Sequence, residues 1–133
     1  MASIDSYILD TSAYSAFKRG DSRLREWFTW KHAIFVPLIV VGELRAGFAA
    51  GSQTEENEAL FRRFLDTPNV SQLPLTAATT EHFATLFLQL RKEGIAMSTN
   101  DLWIAAIARQ HNLSLATCDA HFDLVPELRI ERW

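Results

Sequence analysis

The chain has 133 residues, 48% hydrophobic and 22% charged, a balance that suits one ordinary folded domain and excludes wholesale disorder. One cysteine, Cys118, excludes an internal disulfide, and a formal charge of −3 excludes a general basic coat for nucleic acid, though not a local basic rim. The longest apolar stretch, Ala33 to Gly42, falls short of the roughly 20 residues a bilayer demands, and MASIDSYILD lacks the basic-then-apolar order of a leader, so a soluble, cytoplasmic protein with no membrane partner is expected.

Ser6 to Leu9 reads as a short apolar strand running into Asp10. Arg23 to Lys31 has helical spacing, with Leu24, Trp27 and Phe28 on one side. Ala33 to Val36 is a second strand, ended by Pro37. Leu38 to Ala50 reads as a helix despite its Val and Ile, because Pro37 suits a first turn and Leu44, Ala46 and Ala49 favour helix. Thr54 is placed to cap a helix to Leu65, whose apolar stripe is Leu60, Phe61, Phe64 and Leu65. Val70 to Leu73 is a third strand. Thr79 to Glu93 carries Phe83, Leu86, Phe87 and Leu90 on one face and stops at Gly94. Asp101 to His111 follows as a helix with Ile104, Ile107 and Ala108 inward and Asn112 as its C-terminal cap. Leu113 to Thr117 and Leu128 to Ile130 complete the strands. Such alternation predicts an α/β domain, a central, mainly parallel sheet of about five strands with helices on both faces. Ligands of open parallel sheets sit beyond the carboxyl ends of the strands, which points at Asp10 and Asp119.

Four carboxylates fall where surface charge is out of place. Asp10 ends Tyr7-Ile8-Leu9, Glu43 interrupts the apolar Ile39 to Leu44, Asp101 opens an apolar helix, and Asp119 follows Leu115-Ala116-Thr117-Cys118. Singly, Asp10 and Asp119 also read as strand-end turn residues, and Asp101 as an acid that complements a helix N-terminus. Glu43 resists such a reading, since a charge buried without a partner is costly. Together they form a cluster if the strands carrying Asp10 and Asp119 adjoin. Two carboxylates about 4 Å apart repel by about 4 kcal/mol at an effective dielectric near 20. A cluster therefore raises its own pKa values or recruits a cation. Oxygen-only ligation suits Mg²⁺ or Mn²⁺ rather than zinc, and water retained on such an ion can attack a phosphodiester.

The segments YILDTSAYSAF, VVGELRAGF and NDLWIAAIARQHNLSLATCDAHFDLVPELRIERW, in that order, resemble the PIN-domain ribonucleases, and especially the VapC toxins of type II toxin–antitoxin pairs. The resemblance covers essentially the whole chain. It implies a single PIN-like domain over residues 1–133, a three-layer α/β/α sandwich. It carries the family's metal-binding acids onto Asp10, Glu43, Asp101 and Asp119, with Thr11, Ser12 and Thr117 as supporting hydroxyls. Around Asp119 the family varies between Asp and Asn and can add an acid; here the neighbouring position is His121, with Asp123 a poorer substitute. The implied activity is Mg²⁺-dependent hydrolysis of RNA, with Mn²⁺ able to substitute. Asp10, Asp101 and Asp119 mainly ligate, while Glu43 either ligates or orients the nucleophile. Attack by water leaves the 2′-hydroxyl unused, so 5′-phosphate products are expected and a 2′,3′-cyclic phosphate is not. The implied partners are a transfer or ribosomal RNA substrate, a VapB-like antitoxin held in a groove between helices, and a second copy of the chain, with larger complexes built on the antitoxin.

The other readings are a housekeeping PIN nuclease without an antitoxin and, in a different class, a non-catalytic binding or phospho-accepting α/β module. A dehalogenase-type phosphatase needs a second acid where Ser12 stands, and a receiver domain needs an acceptor aspartate that Asn69 to Pro74 does not offer. His32, His82, His111 and His121 lack metal-ligand spacing, and Cys118 has no base beside it in sequence. Trp27, Trp30, Trp103 and Trp133 read as core and interface anchors, with Trp30 also suited to stack on an RNA base. Lys18, Arg19, Arg23 and Arg25 form either a solvated face or a phosphate-contacting rim. Arg45 either joins that rim or neutralises a neighbour.

Overall fold

The computed structural model describes residues 5–29 and 32–133; Trp30, and Lys31 at the end of the expected second segment, lie outside the described residues. Five strands, β1 (Ser6–Leu9), β2 (Ala33–Pro37), β3 (Val70–Leu73), β4 (Ser114–Ala116) and β5 (Ile130–Glu131), form one sheet in the order β3-β2-β1-β4-β5. Every neighbouring pair is parallel. The helices are α1 (Thr11–Lys18), α2 (Ser22–Trp27), α3 (Leu38–Ala50), α4 (Thr54–Leu65), α5 (Ala77–Lys92) and α6 (Thr99–His111), with a 3₁₀ turn at Ala120–Leu124.

From β1 to β3 the chain steps one way across the sheet, then crosses back beyond β1 to β4. Right-handed crossovers therefore place α1 to α4 on one face and α5 and α6 on the other. This is the expected three-layer sandwich. Its order reverses between β1 and β4, and a crevice opens at such a reversal beyond the strand ends. The register sets Leu9 opposite Ala116, so the residues that follow, Asp10 and Thr117, leave the sheet side by side. Ile8, Leu9, Ile34, Val36 and Leu115 have no exposed surface, because a parallel sheet is covered on both faces.

Local chemistry moves several boundaries. The sequence reading has no helix after β1, yet α1 begins at once because Asp10 accepts the Ala13 N–H and caps it. Helix α2 runs from Ser22 to Trp27, shorter than expected: Asp21 caps its start, accepting from the Arg23 and Leu24 N–H groups, after Gly20 turns the chain at φ +92°. Thr54 does not cap α4; it is the first helical residue, and its hydroxyl donates to the Phe48 carbonyl at 2.6 Å. Helix α5 starts two residues before Thr79, where the Thr76 N–H donates to Thr79 Oγ1 at 3.0 Å. Helix α6 starts at Thr99, capped by Ser98, which makes Asp101 a first-turn residue rather than the opening one. The last two strands are Ser114–Ala116 and Ile130–Glu131, offset from the expected spans, and the 3₁₀ turn between them carries no apolar period to announce it.

On the α1–α4 face Tyr14 meets Phe61 and Phe64 edge-on at 4.9 and 5.1 Å, and Phe17 and Phe28 close the cluster. Thus Phe61 and Phe64 carry the stripe of α4, while Leu60 is 44% exposed. On the other face Leu86 and Leu90 of α5 are buried with Ile104 and Ile107 of α6, and Phe87 is 47% exposed. Gly94 at φ +70° stops α5, and Asn112, left-handed at φ 54°, stops α6 as expected. No helix among the described residues is long and apolar enough to cross a membrane.

Candidate metal centre

Asp10 sits at the reversal point with its carboxylate buried and fully engaged. Its Oδ1 accepts from Ser12 Oγ at 2.6 Å and the Ala13 N–H at 3.0 Å, and its Oδ2 accepts from the Thr117 hydroxyl. One aspartate thus caps α1 and ties β1 to β4. Burial is the largest influence on its pKa and pushes it above the ordinary value. The hydrogen bonds from Ser12, Thr117 and Ala13 pull it down, and the negative charge of Asp119 pushes it up again.

Asp119 follows β4 by three residues. Its N–H donates to Thr117 Oγ1 at 2.9 Å, and its Oδ1 accepts the His121 N–H at 2.9 Å as the cap of the 3₁₀ turn. Thr117, fully buried, therefore links both strand-end acids through one hydroxyl. Glu43 comes from the middle of α3 and Asp101 from the first turn of α6, helices from opposite faces that meet above the sheet edge. Burial, then the charges of Asp101 and Asp10, raise the Glu43 pKa, and hydrogen bonding from the Asn100 side chain opposes them. Glu43 Oε1 is buried with no hydrogen-bond partner.

The four acids are electrostatically linked in the order Asp119, Asp10, Glu43, Asp101. Among the described residues no Lys or Arg forms an ion pair with any of their carboxylates; His121 Nδ1 lies 3.0 Å from Asp119 Oδ1, and Arg132 reaches the Asp119 backbone carbonyl rather than its carboxylate. As the side chains stand, no three Asp, Glu, His or Cys groups among the described residues are gathered closely enough to enclose an ion. The donor set nevertheless fits a hard divalent cation: it is all oxygen, none of its four carboxylates is ion-paired to a Lys or Arg among the described residues, and it includes an orphaned buried carboxylate oxygen.

The remaining sequence candidates are placed as follows. Ser12 and Thr117 bind Asp10, whereas Thr11 opens α1 with no side-chain hydrogen bond among the described residues. Lys18 donates to Asn57 and lies over the Phe48 ring, and Arg25 lies over Phe17. Arg19 and Arg23 are exposed. Arg45 neutralises a neighbour, with Nε 2.9 Å from Glu58 Oε1, where Arg62 also donates. Asp123 is taken by Arg132. Cys118 is exposed and its N–H reaches Ser12 Oγ at 3.4 Å. Asn100 and Arg132 had no sequence signal beyond adjacency to an acid and a late basic residue. A hollow of about 280 Å³, lined by His82, Arg109, Asn112 and Glu127, opens at the far end of the sheet and contains none of the four acids.

The PIN domain model matches residues 7–128. Ribonuclease VapC2 of Rickettsia felis is 29% identical over 132 residues, covering 96% of this chain and 97% of the relative. Ribonuclease VapC2 of Haemophilus influenzae is 32% identical over 99 residues, 74% of each chain. The crystal structure of VapBC2 from Rickettsia felis, bound to a DNA fragment from its promoter, superposes with a TM-score of 0.86 at 27% identity, covering 96% of this chain and 98% of that one.

Proposed function

The chain belongs to the PIN-domain family, alongside the VapC proteins, and from that premise we propose that it is a divalent-metal-dependent endoribonuclease, the toxin of a toxin–antitoxin pair. The observation that carries this reading is the arrival of Asp10 and Asp119 at one strand reversal, with the unpartnered oxygen of Glu43 and the first turn of α6 brought over them. Support for the toxin role comes from relatives called ribonuclease VapC and a structural neighbour that is a VapBC complex on DNA. The substrate is RNA, of transfer or ribosomal type, and a cognate antitoxin neutralises the protein.

Asp10, Asp101 and Asp119 would hold Mg²⁺ or Mn²⁺, and Glu43 would join them directly or through water. When bound, the ion supplies Lewis acidity and lowers the pKa of water. Asp10 holds its position through three donors, so little reorganisation of that carboxylate is needed on binding. Glu43 and Asp101 would reach the ion from the middle of α3 and the first turn of α6. Glu43 has a buried oxygen without a hydrogen-bond partner, which fits it to hold or accept a proton from water near the phosphate. Thr117 and Ser12 donate to the charged form of Asp10 and so oppose the rise in its pKa that burial causes.

The test compares RNA cleavage by the wild type and Asp10→Asn, with Mg²⁺, with EDTA, and with Mn²⁺ restored after EDTA. Cleavage that needs the cation and is lost in Asp10→Asn supports the reading. Cleavage that persists in EDTA, or is equal in the variant, contradicts it.

A further inference from the structure

Asp119 is the acid least supported by regular structure, since it lies in a loop with its side chain 37% exposed. Its peptide is nonetheless gripped on both sides. The N–H donates to Thr117 Oγ1, and the carbonyl accepts from Arg132 Nη2 at 3.3 Å. Arg132 is in turn held by Asp123 through two parallel contacts, Nη1 to Oδ2 at 3.0 Å and Nη2 to Oδ1 at 3.1 Å. Asp119 and Asp123 stand at opposite ends of the same 3₁₀ turn, so one guanidinium spans it. Strand β5 delivers that guanidinium: the Thr117 N–H donates to the Glu131 carbonyl at 3.2 Å, so residues 131 and 132 hold residues 117 and 119. Trp133 anchors the far side, edge-on to Trp27 at 6.4 Å, and Trp27 stacks on Tyr7 of β1.

We propose that the Asp123–Arg132 pair is a positioning clamp that fixes Asp119 for cation binding. The inference rests on the assignment of Asp119 as a ligand under the proposed function. An exposed ion pair contributes little to stability, but two parallel contacts fix direction, which a lone lysine contact does not. Field and geometry predict opposite signs here. A positive charge beside a metal site repels the metal, so if charge were its only effect, removing Arg132 would tighten cation binding. If Arg132 fixes the Asp119 peptide, removing it loosens cation binding.

The experiment is calorimetric titration of Mn²⁺ into the full chain and its variants, with thermal melting of each metal-free protein. Arg132→Ala and Asp123→Ala are each expected to weaken Mn²⁺ about 10-fold, in the range for partners that orient ligands. The double variant is expected to be no weaker than either single one, and Arg132→Lys, which keeps the charge without the fork, as weak as Arg132→Ala. Metal-free melting stays near that of the wild type. Unchanged or tighter binding by Arg132→Ala, full rescue by Arg132→Lys, losses that multiply in the double variant, or melting losses large enough to account for the weaker binding would each overturn the clamp. Asp119→Asn separates the two levels. Unchanged Mn²⁺ binding there removes Asp119 from the ligands and the clamp with it. Weakened binding there beside an unaffected Arg132→Ala overturns the clamp alone.

Discussion

Replacing Thr117 by valine removes one oxygen from a fully buried site and keeps the shape. Two partners lose by it. Asp10 Oδ2 loses the hydroxyl that donates to it, and the Asp119 N–H loses its acceptor at 2.9 Å. A hydrogen bond to a charged group contributes about 1.5–3 kcal/mol and an ordinary one about 0.5–1.5 kcal/mol, so the expected cost is about 2–4.5 kcal/mol. For 133 residues the unfolding entropy near the melting point is about 280 cal/mol/K, so that cost lowers Tm by about 7–16 °C. Because the lost donor favoured ionised Asp10, its pKa rises further in the variant, and the deficit against wild type is greater above the raised pKa of Asp10 than below it. Thr117→Ser keeps the oxygen and loses one methyl group, about 1 kcal/mol. The assay is differential scanning calorimetry of metal-free protein at pH 5 and pH 8, with Mn²⁺ titration alongside. Valine is expected to weaken Mn²⁺ about 10-fold, and serine to bind close to wild type. A valine variant melting within about 2 °C of wild type, or one no better than serine at failing, refutes the reasoning.

Asp10→Asn is expected to make the metal-free protein more stable at neutral pH while abolishing cleavage. Burial and Asp119 raise the Asp10 pKa, so its ionised form is a cost to the folded state. The variant's advantage should therefore grow as pH rises above the ordinary carboxylate range and vanish below it, read by melting curves at a series of pH values. Phe61→Ala should cost about 3–5 kcal/mol, because Phe61 is fully buried among Tyr14, Phe48 and Phe64, while Leu60→Ala stays within about 0.5 kcal/mol; urea unfolding distinguishes them. Mapping of cleaved RNA ends should find 5′-phosphates, and a 2′,3′-cyclic phosphate would contradict attack by water.

How much of this was legible in the sequence depended on the kind of physics involved. Helix α3 is bounded as expected because Pro37 and the polar run after Ala50 are strong local signals. Helix α1 was invisible because its first signal is Asp10, which reads as a strand end, and its short Ser-, Thr- and Tyr-containing run has weak helix propensity. Periodicity placed Leu86 and Leu90 on a buried face but overextended it to Phe87, since only tertiary packing decides how wide that face is. At the site, the four acids stood out as charges in apolar surroundings, and a topology rule pointed at Asp10 and Asp119 beyond the strand ends. The β1–β4 adjacency that joins Asp10 to Thr117 and Asp119 was only a condition in the sequence and is supplied by the fold. Asn100 beside Glu43, and Arg132 beside Asp119, depend on contacts between distant segments that no local pattern encodes. Arg45 could point either way in sequence, and only the fold brings Glu58 against it.

Anomalous diffraction from a crystal grown with Mn²⁺ locates the ion directly. A peak bonded to an Asp10 oxygen and to an oxygen of Asp101 or Asp119, with Glu43 turned toward it, is the predicted result. Mn²⁺ bound elsewhere in a crystal whose protein cleaves RNA with that metal would contradict it.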